Sequence, residues 1–197
     1  MTAVTIKTYR DLPISDKEVL RYAGAPTPNE ATKELLESVK KETQDAFSYK
    51  ACYTVCDISV EDFTVDFGFF KVVSQSLSKN LLGCKRAIIF AATAGFEIDR
   101  LITRHSRLSP ARALMLSALG TERAEALCDA FSHDMKNTYG TTRPRFSAGY
   151  GDLPLSLQKD IFKLLNPSAK IGLSLSESLL MSPTKSVTAF IGIEDRI

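Results

Sequence analysis

The chain has no run of like charge. Its 25 lysines and arginines nearly balance 23 aspartates and glutamates, for a net charge of +2, and they are dispersed. Neither a nucleic acid nor a membrane surface therefore has an electrostatic footprint to bind. Long apolar runs are lacking too: the longest, "AIIFAATAGF" at 87–96, is about half of the roughly 20 residues that a bilayer span requires. The N-terminus, "MTAVTIKTYRDLP", has no basic start followed by an apolar stretch, so it does not read as a signal peptide and the expected location is cytoplasmic. Cysteines are few, and all four (Cys52, Cys56, Cys84, Cys128) lie in apolar contexts, as reduced core thiols do. Repeats, low-complexity tracts and long linkers are absent, so the 197 residues are expected to form a single unit large enough to bury roughly 70% of its unfolded surface.

Several kinds of chemistry are missing as well. No G-x-S-x-G elbow, Cys-His signature or P-loop occurs. "GYGDLP" at 149–154 begins like a dinucleotide-binding glycine motif, but Pro154 stands where the helix-packing glycine should be. Cys52 and Cys56 sit in a strand-like segment, where a separation of four residues spans roughly 13 Å, too far to share a zinc ion. His105 and His133 have no ligand partner at a motif spacing and read as surface residues. No metal site is expected.

What is present mixes helices and strands. Ser15 with Glu18 reads as a capping box for a short helix to about Tyr22, ended by Gly24. Thr27 as cap, Pro28 and Glu30 open a helix over about 28–46 with Leu35, Leu36 and Val39 as its stripe, which makes residues 1–47 a helical N-terminal part. Residues 49–67 suggest two strands broken at Glu61 and Asp62. Leu77, Leu81 and Leu82 suggest a helix closed by Gly83, and "CKRAIIFAAT" (84–93) is a strand apolar enough to be buried on both faces. "AG" at 94–95 leads into a helix with Ile98, Leu101 and Ile102. Ser109 and Pro110 open another to about Leu119, which Gly120 breaks. A further helix over 121–136 presents Ala124, Leu127, Cys128, Phe131 and Met135 on one face and puts Glu125 and Asp129 together on its flank. "IGLSLS" (171–176) and "SVTAFIGI" (186–193) alternate as strands do and could pair as a hairpin. The absence of a βαβ rhythm points to an α+β fold, with mixed helices around a largely antiparallel, twisted sheet.

One segment carries chemistry: "RFSAGYGDLPLSLQKDIFKLL" at 145–165. Gly149 and Gly151 can take positive φ or admit close approach of a ligand. Arg145 offers a planar fork of donors suited to a carboxylate or phosphate, and Tyr150 adds a flat face and a hydroxyl. An ordinary turn into a helix beside a solvated arginine has the same spacing.

This segment, with "IGLSLSESLLMSPTKSVTAFIGI" at 171–193, resembles the C-terminal activation domain of cobalamin-dependent methionine synthase. Arg145–Tyr150 matches that family's R-x-x-x-G-Y motif for S-adenosylmethionine, and "LSES...MSP...SV" is similar to its L-T-E-S...M-x-P...S-V segment. "ALGTERAEALCDAF" resembles its acidic helix, so the likeness covers about residues 110–193, and more loosely 84–102. The resemblance implies that Arg145 pairs with the methionyl carboxylate, that backbone near Ala148 and Gly149 touches the ligand, that Tyr150 lines the pocket, and that Glu125 faces the ammonium.

It also implies an activation-domain-like fold and a role in reductive reactivation. S-adenosylmethionine would methylate cob(II)alamin carried by a cobalamin-binding methionine synthase polypeptide, with a flavodoxin-like electron donor, and the chain would be a component of a methyltransferase rather than a stand-alone enzyme. Three departures stand out: Ser182 where the family has tryptophan in M-W-P, a shorter N-terminal part whose ligand-facing aspartate has no match among Asp57, Asp62 and Asp66, and an end at Ile197 before the family's last tyrosine-bearing segment. These suggest a shortened, free-standing form. Two other readings stay open: an interaction module for corrinoid proteins that no longer binds S-adenosylmethionine, and a nucleotide or phosphate site built from Arg145 and the start of the 156–165 helix.

Overall fold

The computed structural model describes residues 3–194. Its centre is a five-stranded sheet in the order β1-β2-β6-β10-β7, in which every neighbouring pair is antiparallel. The strands are β1 (Thr5–Tyr9), β2 (Tyr49–Asp57), β6 (Cys84–Thr93), β7 (Phe146–Ser147) and β10 (Ser186–Glu194). The alternation of a strand sorts each sequence between two cores. Tyr49, Ala51, Tyr53, Ile88, Phe90, Ala92, Ala189, Ile191 and Ile193 belong to one core, and Cys52, Cys56, Ala87, Ile89, Ala91 and Phe190 to the other. The double-sided burial expected of residues 84–93 thus places β6 at the sheet's centre.

One face of the sheet carries α5 (Pro110–Tyr139), a continuous helix of 30 residues. Gly120 does not break it. A Cβ there would come within 3.0 Å of both the Ile98 and Lys185 side chains, so the missing side chain allows close packing, and tertiary contact outweighs glycine's roughly 1 kcal/mol helix penalty. From its middle onward α5 lays Leu127, Cys128, Phe131 and Met135 on the sheet. Its first turns instead pack Met115, Leu116, Ala118 and Leu119 against Val19 of α1 (Asp16–Tyr22), Leu36 and Val39 of α2 (Glu30–Glu42) and Ile98 of α4 (Glu97–His105).

The other face is covered by α3 (Gln75–Leu81), α6 (Gln158–Leu165), α7 (Pro167–Ile171) and a small antiparallel sheet of β3 (Ser59–Glu61), β4 (Thr64–Asp66) and β5 (Lys71–Val73). Phe67 and Phe70 reach from the small sheet to Phe190 on β10, with ring centroids 4.9 and 6.4 Å away. The remaining pair, β8 (Ser174–Leu175) and β9 (Met181–Ser182), forms its own short ladder.

Several local expectations change in this context. Residues 171–176 and 186–193 do not form a hairpin: Ile171 ends α7, Ser174–Leu175 pairs with β9, and β10 lies between β6 and β7. A strand that is apolar on both faces is stabilised most in the sheet interior, where two neighbours satisfy its backbone. The N-terminal part is not helical throughout, because Thr5–Tyr9 forms the edge strand. The cap of α2 is Asn29, not Thr27: its side chain accepts hydrogen bonds from the Thr32 amide at 2.9 Å and from its hydroxyl at 2.8 Å. Residues 49–66 make three strands instead of two, with Asp62 at positive φ where β3 turns into β4. His105 is not a free surface residue either, since its ring lies 2.7 Å from Glu42.

Candidate functional site

Chain geometry brings Arg145 back to the helix that precedes it. The ten residues from Asp129 to Tyr139 rise about 15 Å along α5. Gly140 ends the helix at φ +90°, and the chain reverses along the outer edge of β10, where the Arg143 amide donates to the Gly192 carbonyl at 2.8 Å and Phe146–Ser147 pairs with Phe190–Ala189. Five extended residues cover about 17 Å, so Arg145 arrives level with Asp129. Its guanidinium donates to Asp129 through Nη1 and to Glu125 through Nη2, both at 2.5 Å. Burial disfavours the charge, but the hydrogen bonds donated to the two carboxylates outweigh it and hold the guanidinium's pKa above its ordinary value. Two of the five N–H donors of an arginine are thereby used.

Beyond Arg145 the chain makes a tight turn. The Tyr150 amide donates to the Ser147 carbonyl at 3.2 Å, the Gly149 amide to Leu153 at 2.9 Å, and the Leu153 amide to Tyr150 at 3.1 Å. Gly149 and Gly151 both have positive φ, at +86° and +60°. A Cβ on Gly151 would stand 2.8 Å from the Ser76 hydroxyl, so the turn itself needs this glycine in order to approach α3. Tyr150 is 71% exposed, with its ring edge-on to Phe146.

Asp152 fastens the turn by capping α3 from outside. It accepts from the Ser74 hydroxyl and the Gln75 amide at 2.6 Å and from the Ser76 amide at 3.1 Å. These bonds, led by that of Ser74, hold its carboxyl well below the ordinary range. A depressed carboxyl pKa contributes stability that is fully present above the unfolded value, near 4, and is lost as pH falls below it towards the folded value. Asp152→Asn should therefore be less stable than the parent at neutral pH and lose stability less steeply on acidification below about pH 4. Parallel acid-unfolding curves would show that the carboxylate contributes nothing.

Glu125 and Asp129 also line an open cavity of about 590 Å³, together with Glu122, His133 and, from the N-terminal segment, Leu12, Pro13, Ser15, Glu18 and Tyr22. Its volume lies within the range of small-molecule sites. Cys52, Cys56 and Cys128 do not line this cavity, and burial raises Cys52 to about 11 and Cys56 and Cys128 to about 12. At neutral pH they are therefore protonated and inert.

The sequence profile described as "Vitamin B12 dependent methionine synthase, activation domain" matches residues 76–196, more than half of the chain. The chain belongs to that family. No curated protein sequence matches it. Among solved structures the chain is similar to the "MetH Reactivation Domain bound to AdoHcy", with 14% identity and a TM-score of 0.75, over 100% of this chain and 80% of that one. At that identity the likeness shows a shared α+β fold. No helix among the described residues is long and apolar enough to cross a membrane.

Within this activation-domain fold, the structure brings together Arg145 and Glu125, two of the residues the sequence singled out. Their charges meet each other directly. Ala148, Gly149 and Tyr150 occupy the adjoining turn and do not line the cavity beside Glu125. None of Asp57, Asp62 and Asp66 lines it either; Asp66 is paired with Lys71 at 2.8 Å. The acidic residue from the N-terminal part that does so is Glu18. The spacing of Glu122, Ala126, Asp129 and His133 on one face of α5 was a signal for that wall. The α1 side had no local signal, because its contact with α5 spans more than 100 residues, as in the Ser15 to Glu122 bond.

Proposed function

We propose that the chain binds S-adenosylmethionine and supports reductive reactivation of a cobalamin-dependent methionine synthase supplied as a separate polypeptide. Arg145, Glu125, Ala148, Gly149 and Tyr150 form the binding site in this reading. One observation carries it: the guanidinium of the family's arginine motif is fixed beside a carboxylate-lined cavity of ligand size, while among the described residues only two of its five donors are engaged. AdoHcy, bound in the structurally similar reactivation domain, is the demethylated product of the same donor.

The residues present fit such a ligand. The open donors of Arg145 suit the methionyl carboxylate, and Glu125 or Asp129, each already within reach of Arg145, suits the ammonium. The exposed Tyr150 ring and the backbone of the Ala148–Gly149 turn offer a surface for the rest of the molecule. Held by these residues, S-adenosylmethionine would supply a methyl cation equivalent to a cob(II)alamin carried by the partner, with one electron furnished by a flavodoxin-like donor. The protein's contribution is orientation, which turns an encounter of two large cofactors into a positioned reaction; none of these residues needs to give or take a proton.

Calorimetric titration with S-adenosylmethionine, followed by reactivation of an inactivated cobalamin-bearing methionine synthase fragment in the presence of the chain, tests both halves. Saturable binding and restored methylcobalamin are expected. Absence of binding, with nucleotides stabilising the fold instead, would favour the phosphate-site reading. Association with the corrinoid fragment without binding of S-adenosylmethionine would favour the interaction module.

A further inference from the structure

A buried ion pair on α5 has no part in the proposed ligand contacts. Glu122 and Arg123 are adjacent, and neighbours on a helix do not ordinarily face each other. Here both side chains turn to one side. Arg123 donates from Nε to Glu122 Oε2 at 2.6 Å and from Nη2 to Oε1 at 2.7 Å. With only 1% of its surface exposed, Arg123 is among the most deeply buried side chains of the protein.

The pair is directed at the segment between β1 and α1. Arg123 also donates to the Leu12 carbonyl at 2.7 Å and to the Pro13 carbonyl at 2.5 Å, while Glu122 accepts from the Ser15 amide at 3.0 Å. That amide belongs to the residue whose hydroxyl caps α1 by accepting from the Glu18 amide. Glu18 does not complete the capping box, because its carboxylate is taken by Arg21 at 2.7 Å, and Glu122 supplies the missing acceptor from across the fold. Among the described residues the segment has no strand partner, so its carbonyls need donors from elsewhere. A buried ion pair adds little stability over apolar replacements, so its selective value is better sought in the segment it holds.

We infer that Arg123 is a positioning residue. Through its fork on Leu12 and Pro13, and with Glu122 on Ser15, it fixes the cavity wall that carries Glu18 and Tyr22 and so sets the distance between that wall and Glu125 and Asp129 on α5. The consequence for ligand affinity rests on the proposed S-adenosylmethionine site; the tethering of residues 12–22 does not.

Two variants of the full chain separate these points. Arg123→Lys keeps a cation beside Glu122 but cannot span both carbonyls, and Glu122→Gln/Arg123→Met removes both charges while keeping the volume. Hydrogen exchange over residues 12–22 is expected to speed up at least tenfold in both, with residues 84–93 as protected as in the parent. The dissociation constant for S-adenosylmethionine is expected to rise about tenfold or more. Unchanged exchange in 12–22, unchanged affinity despite a loosened segment, or loss of protection throughout residues 84–93 in both variants would each overturn the inference. If the parent chain fails to bind S-adenosylmethionine, the proposed function falls, and the exchange measurement alone decides the tether.

Discussion

Arg145→Ala is expected to weaken S-adenosylmethionine binding by roughly ten- to a hundredfold, the effect of losing a charge-assisted contact worth about 1.5–3 kcal/mol. The affinity loss should be separable from unfolding. Arg145 is paired with Asp129 and Glu125, whose side chains are 70% and 43% exposed, and solvated ion pairs of this kind contribute on the order of 1 kcal/mol or less to stability. Freed of the guanidinium, both carboxylates can return to water without a large penalty. Arg145→Lys should recover only part of the affinity, because an ammonium cannot bridge Asp129, Glu125 and an incoming carboxylate at once. Titration calorimetry beside a denaturation curve reads both quantities. Equal affinity in Arg145→Ala and the parent would make the arginine a clamp between β7 and α5 and nothing more.

Phe131→Ala should produce the largest loss of stability, about 3–5 kcal/mol, as a buried aromatic is removed with its cavity left behind. Phe131 is fully buried, stacked on Phe90 of β6 at a centroid distance of 4.5 Å and edge-on to Tyr53 of β2 at 5.4 Å. It sits two residues beyond Asp129, so the side chain that fastens α5 to the sheet also fixes the height at which the helix offers its carboxylates to Arg145. Chemical denaturation measures the change. A loss under about 1 kcal/mol would mean that the site repacks, contrary to the density expected of a core.

The family and the fold class were both legible in the sequence. The ordered motif from Arg145 to Tyr150, followed by the 171–193 segment, led to the activation-domain family that the profile over residues 76–196 shows. The double-sided apolar run at 84–93 marked the central strand, because no other environment accommodates it. The flank of Glu125 and Asp129 followed from helical periodicity alone. By contrast, Gly120 was misleading: its local effect is to interrupt a helix, and only the approach of Ile98 and Lys185 reveals why a glycine stands inside one. The same holds for Gly151, which reads as freedom for a ligand but is required by the Ser76 contact.

Sequence alone therefore determined what depends on neighbours along the chain: the apolar periods of the main helices and strands, the cap at Ser15, and an arginine motif poised before a glycine turn. Tertiary structure decided what depends on residues far apart. It set the order of strands in the sheet, the pairing of Arg145 with two carboxylates 16 and 20 residues upstream, and the meeting of α1 with α5 that makes a cavity. The physical reason is range. Backbone propensity and periodicity act within a few residues, whereas burial and charge pairing act through space and take their partners wherever the folded chain brings them.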